Sequence, residues 1–265
     1  MKRIALFTAL LAAGICSADA QSQVGADLTL ASIVPISGMS SRPARAEQIE
    51  AVDPTAFYSN VTTSGTSGIP AAGTTMVGAS LITTMVCDDL HFSNTQATAR
   101  ITGVRFSVVN FDANTVSARP SIAFFQNNGA GGGPGTAAGG VTFPALTLPT
   151  SSAIIVASGT LPNPINVPVV TSNPVLWACQ YFDNDGGATG ATQAQMDSIG
   201  VAFFNPPDLG TSQDLFFGGF GPGSPASNPA GSIGNFGGPP NPASNFGWEL
   251  LNADGDTIFR NGFDG

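Results

Sequence analysis

The chain has 265 residues, 42% of them hydrophobic and only 9% charged, with 33 glycines, 20 prolines and a net charge of −9. Beyond the first twenty residues, six scattered arginines and no lysine face sixteen carboxylates, a net charge of −10. That balance argues against a nucleic-acid partner, because counterion release on phosphate needs clustered cations, and the low charge with abundant Gly, Pro, Ser, Thr and Asn suits an exported all-β protein.

Residues 1–20 read as a secretory signal peptide: Lys2 and Arg3, an apolar run from Ile4 to Ile15, then small residues ending at Ala18, Asp19 and Ala20. Cleavage is expected near Ala20. The run falls short of the roughly 20 residues that cross a bilayer, and no later segment is longer, so no membrane span is expected. Residues 21–55 read as an N-terminal arm. LTLASIVPI at 28–36 is a strand candidate interrupted by Pro35, and one helical turn fits near 44–51.

A β-sandwich domain is expected over residues 56–251. AFYSNVTT at 56–63 is its first convincing strand, followed by a flexible connection at 64–75 and a core opening at Met76. LITTMVCDDLHF at 81–92 reads as a strand pair or one bent strand, and RITGVRFSVVNF at 100–111 alternates Val104, Phe106 and Val108 on one face. Further strands are expected at 121–126, 142–148, 153–161, 165–170, 175–182, 198–205, 214–217 and 246–251. The spacing of these short runs between turn signals marks a sandwich or jelly roll. NNGAGGGPGTAAGG at 127–140 reads as a surface loop. Residues 218–245 read as a disordered loop, since their Gly, Pro, Ser and Asn offer few groups to bury. Residues 252–265 form a C-terminal tail.

The stretch NPVLWACQYFDNDGG at 173–187 organises the rest. Val175, Trp177, Cys179 and Tyr181 share one parity, the period of a half-buried strand, and the run ends on an Asp, Asn and Gly turn. Cys179 and Cys87 are the two cysteines left after the leader. In an exported chain their default state is a disulfide, and a loop of about 90 residues contributes roughly 4 to 5 kcal/mol in the chain-entropy description.

Chemistry-bearing constellations are sparse. A serine triad needs a histidine; the single histidine is His91, and no G-x-S-x-G turn exists. Asp89 and His91, two apart on one strand, share a face and fit either a dyad, half a metal site or an internally satisfied polar face. One histidine and a bridged cysteine pair do not make a structural zinc site, and nothing points to the facing carboxylates of a glycosidase. No cofactor is called for, with calcium left open at two turns: Asp183 and Asp185 before Gly186, and Asn252, Asp254 and Asp256 around Gly255. The alternative is that such residues simply make hairpin turns. For a glycan, Trp248 beside the long loop is the candidate contact, whereas Trp177 alternates with core residues.

Two pieces carry a resemblance. FYSN, CDDLHF and ITGVRFSVVNF, between Phe57 and Phe111, resemble bacterial secreted sandwich domains with an A-D-D-F strand followed by an I-T-x-V strand, with Cys87, Asp88, Asp89 and Leu90 in the A-D-D-F positions. Such domains occur in exported proteins with short C-terminal sorting signals, including the PEP-CTERM kind. The tail DTIFRNGFD is similar to the I-F-x-x-G-F-E ending of secreted proteins of Xanthomonas-like gammaproteobacteria, through Ile258, Phe259, Gly262 and Phe263, with Asp264 in place of Glu. It lacks the hydrophobic helix and basic end of a PEP-CTERM tail. The resemblance implies an exported sandwich protein whose tail is read by export or anchoring machinery, and it transfers no catalytic residue.

The expectation is therefore an all-β, jelly-roll-like antiparallel sandwich with long Gly/Pro-rich loops. It is a non-enzymatic structural or binding protein, secreted or on the outer cell surface, with the periplasm as the other compartment. A carbohydrate-binding module or carbohydrate-active hydrolase is the alternative.

Overall fold

The computed structural model describes residues 21–25, 28–35, 55–61, 65–71, 73–92, 97–150, 153–170, 173, 175–204, 207–220, 230–236 and 245–252. The leader, the helical turn near 44–51 and the tail beyond Asn252 lie outside them. Among the described residues the chain forms strands β1 (Gln21–Val24), β2 (Leu28–Pro35), β3 (Ala56–Ser59), β4 (Gly65–Pro70), β5 (Thr75–Val77), β6 (Ser80–Ile82), β7 (Met85–His91), β8 (Thr98–Asn110) and β9 (Val116–Gln126). They continue with β10 (Ala137–Thr142), β11 (Leu146–Leu148), β12 (Ala153–Pro168), β13 (Val175–Asp183), β14 (Ile199–Phe204), β15 (Thr211–Phe220), β16 (Ala230–Gly234) and β17 (Trp248–Leu251), with one helical turn, α1 (Gln193–Met196), before β14.

The strands make two sheets packed face to face, an all-β sandwich. The larger runs β1-β10-β9-β13-β7-β15-β16, with β11 also on β9 and the β5–β6 hairpin on β13; the smaller runs β2-β12-β8-β14-β4, with β17 on β8 and β3 on β17. Pairing is antiparallel throughout except for β1, which joins β10 in parallel. Between the sheets lies one continuous core. Val86, Leu90, Ile122, Phe124 and Leu176 from the larger sheet meet Val104, Phe106, Ile155, Val201 and Trp248 from the smaller. Burying a side chain of this size contributes roughly 1.5 to 3 kcal/mol.

β13 departs from its expected half-burial: all nine residues are buried. Its two parities serve two apolar clusters. Leu176, Ala178 and Phe182 face the inter-sheet core, while Trp177, Cys179 and Tyr181 join Cys87, Ala123, Phe125 and Phe217 on the other side of the sheet. Ala137, Leu215 and Ile233 pack against that second cluster. A strand apolar on both parities is a strand covered on both faces.

Four expectations about weakly patterned segments change. Residues 21–55 are not only an arm, because β1 extends the larger sheet and β2 pairs with β12. The flexible connection at 64–75 contains β4, whose glycines and Pro70 pair with β14 at the rim of the smaller sheet, a place where proline is tolerated. Met76 is 61% exposed and opens no core. Within 218–245, β15 extends to Phe220 and pairs with β16. Glycine there reflects close backbone approach, since a Cβ on Gly231 would stand 2.3 Å from the carbonyl oxygen of Gly218.

Candidate functional site

Cys87 and Cys179 sit directly opposite each other on β7 and β13 and form a disulfide, with Cα atoms 3.9 Å apart and a sequence separation of 92. The bridge ties two neighbours in the middle of one sheet rather than sheet to sheet, and both sulfur-bearing residues are fully buried.

The next two residues of β7 turn polar inside the protein. Asp88 shares the parity of Val86 and Leu90 and is 0% exposed; Asp89 shares that of Cys87 and is 2% exposed. Across the sheet β15 shifts register between Ser212 and Phe216, a bulge that brings the Ser212 hydroxyl to both carboxyls, 3.0 Å from Asp88 Oδ1 and 3.3 Å from Asp89 Oδ1. The second oxygen of Asp88 accepts the backbone N–H of Phe246 at 2.8 Å, and that of Asp89 meets His91 Nε2 at 2.8 Å. Gly210 leads into β15 with φ +80°, the left-handed region. A Cβ there would stand 2.5 Å from the His91 carbonyl oxygen and 2.8 Å from the Tyr58 ring, so glycine fits and larger residues collide.

Burial, reinforced by the neighbouring Asp89 charge, raises the Asp88 carboxyl well above the ordinary aspartate value, and burial raises Asp89 as well. Tyr58 is raised by burial and by the charges of Asp88 and Asp89. Beside Tyr58 on the same segment, Asn60 donates to the carbonyl oxygens of Phe246 at 2.7 Å and Phe204 at 3.1 Å and accepts the Trp248 N–H at 2.7 Å. One carboxamide thereby does the work of a strand edge, joining the Tyr58 segment to β14 and β17.

The other residues singled out from the sequence are placed as follows. Asp89 and His91 are brought together, yet Ser212 turns to the carboxylates rather than to the imidazole, and Asp88 is closed to solvent. This arrangement can hold and relay a proton. Asp183 and Asp185 are gripped by Arg119: Nε and Nη2 meet the two Asp183 oxygens at 2.9 and 3.2 Å, and Nη1 pairs with Asp185. Asn184 completes the turn, its side-chain oxygen accepting the N–H of Leu81 at 2.9 Å and of Gly187 at 3.3 Å. A cation there has to displace a bidentate guanidinium. Asn252 follows β17 and donates its backbone N–H to the Thr55 carbonyl oxygen at 3.0 Å; Asp254, Asp256 and the tail residues Ile258, Phe259, Gly262, Phe263 and Asp264 lie outside the described residues. Trp248 corrects the glycan expectation. It is 0% exposed and packs against Phe106 at a ring separation of 6.2 Å, because its parity on β17 faces the core.

Sequence reasoning missed Ser212, Asn60 and Glu249. Glu249 is 0% exposed and accepts Arg105 Nη1 at 2.8 Å across β17 and β8. A cross-strand pair of opposite charge is visible only once register is known.

Among the described residues no helix is long and apolar enough to cross a membrane. Comparison with protein-family models, curated proteins and solved structures returns no match.

Proposed function

We propose that this is an exported structural or binding protein of the cell surface or extracellular space. Its leader at 1–20 carries it out, and its tail at 252–265 engages export or anchoring machinery. The observation that carries the reading is the Cys87–Cys179 disulfide at the centre of the larger sheet, a bond that persists in oxidising compartments. The buried carboxylates support the non-catalytic side of the reading. Asp88, Asp89, Asp183 and Glu249 are all engaged by internal donors, so they act as links of the scaffold. The test is fractionation of cells expressing the full chain beside a variant lacking residues 257–265. Export of both, with loss of surface retention in the truncated form, supports the reading; a full chain held in the cytoplasm overturns it.

A further inference from the structure

Ser212 gathers two buried carboxyls around one hydroxyl. A hydroxyl has one hydrogen to donate, and Ser212 Oγ lies 3.0 Å from Asp88 Oδ1, 3.3 Å from Asp89 Oδ1 and 3.3 Å from the carbonyl oxygen of Gln213. One approach is made through the serine hydrogen. Asp88 and Asp89 are 0% and 2% exposed, and two carboxyls brought against one hydroxyl at this depth favour holding one proton between them over ionising together. Backbone N–H groups of Asp89 and Gln213 also reach the two carboxyls, but they bring no hydrogen between these oxygens and Ser212.

We propose that Asp88 and Asp89 share one acidic proton through Ser212, carried on Asp88, and that this proton is a pH-dependent clasp between the two sheets. The Asp88 O–H donates to Ser212 Oγ, the Ser212 O–H donates to ionised Asp89, and the other Asp89 oxygen takes His91 Nε2. Asp88 is the carrier because it lies on the core side of β7, fully buried, while Asp89 has the imidazole beside it. The clasp is structural because Asp88 belongs to the larger sheet and its other oxygen accepts the N–H of Phe246, two residues before β17 of the smaller sheet. The His91 side chain, 18% exposed, and the half-buried Ser212 are where solvent meets this chain of hydrogen bonds.

The surroundings favour the proton. β3 brings the Tyr58 phenol, itself hydrogen-bonded with Ser212, and β15 brings Ser212 with Asp214 two positions on. β13 sets Ala178 and Trp177 opposite Asp88 and Asp89, neither titratable, and the Phe246 segment supplies only a backbone N–H. Asp208 precedes β15 and binds Ser59 through its backbone. His91 is the basic group in direct contact with the pair. Burial and the Asp89 charge raise the folded Asp88 carboxyl above its unfolded value. A raised acid contributes stability that is present while it is protonated and is lost as pH rises through the folded value.

The test is urea unfolding of the oxidised protein from about pH 5 to about pH 9, for wild type and Asp88→Asn. An amide at 88 keeps an acceptor for Phe246 and places an N–H where the shared hydrogen lies. The wild-type midpoint is expected to fall as pH rises, and the Asp88→Asn midpoint to stay level and exceed wild type at the alkaline end. Parallel curves for the two proteins overturn the proposal. Infrared spectra of wild type labelled with carbon-13 aspartate give a second readout that needs no variant. A protonated-carboxyl stretch persisting at neutral pH is expected, and its absence overturns the proposal even if Asp88→Asn does not fold.

Discussion

The indole nitrogen of Trp177 donates to Asn127 Oδ1 at 3.0 Å and to the carbonyl oxygen of Gly132 at 3.1 Å. The most conspicuous residue of the central strand thus holds down the glycine-rich stretch that reads as a loose surface loop. Asn128 assists, its side-chain oxygen accepting the Thr136 N–H at 2.7 Å, and the chain then enters β10. Entropy lost by ordering many glycines is offset by hydrogen bonds reaching in from the strand beneath.

Trp177→Phe keeps the apolar area over the disulfide and removes both hydrogen bonds. The expected cost is about 1 to 3 kcal/mol, the range for leaving partly buried acceptors unanswered. Hydrogen exchange should quicken at the amides of residues 127–136, while β13 stays protected. Unchanged exchange in that stretch contradicts the anchoring role.

Arg105→Ala takes the guanidinium away from Glu249, whose side chain is 0% exposed. Removing one partner of a buried ion pair costs about 3 to 5 kcal/mol, so the urea midpoint should drop sharply. Replacing the pair together by Met at 105 and Leu at 249 should recover most of the loss, because a well-packed apolar pair substitutes for a buried ion pair. A double variant no more stable than Arg105→Ala alone refutes the ion-pair explanation.

Calcium at millimolar concentration should leave the melting midpoint unaltered at the 183–187 turn, where Arg119 occupies both Asp183 oxygens. A variant ending at Asn252 separates this turn from the second one, since it lacks Asp254 and Asp256. A calcium-induced rise that persists in the shortened protein shows that the ion competes with Arg119 after all.

Much of the fold is legible in the sequence because it depends on local pattern. The runs at 100–111, 121–126, 175–182 and 198–205 carry β-branched and aromatic residues between turn signals, and each contains or overlaps a strand. The disulfide is legible from the expected compartment and the cysteine count. β4 and β16 are not, since GTSGIP and AGSIG pair through backbone groups that every residue has, and their side chains announce turns. The clasp site is half legible: Asp89 and His91 are two apart on one strand, whereas Ser212 reaches Asp88 across a sequence separation of 124, which only strand order and the β15 bulge reveal. Trp248 misleads because a tryptophan beside a glycine-rich stretch looks exposed, and its parity on β17 turns it into the core.

The most direct test of the central claim is the intact mass of protein collected from outside the producing cells, measured with and without reductant under denaturing conditions. An exported, disulfide-stapled sandwich predicts a chain that starts at or near Gln21 and gains the two hydrogens of Cys87 and Cys179 on reduction. A chain found only inside the cell, retaining its first twenty residues and showing no mass change on reduction, contradicts it.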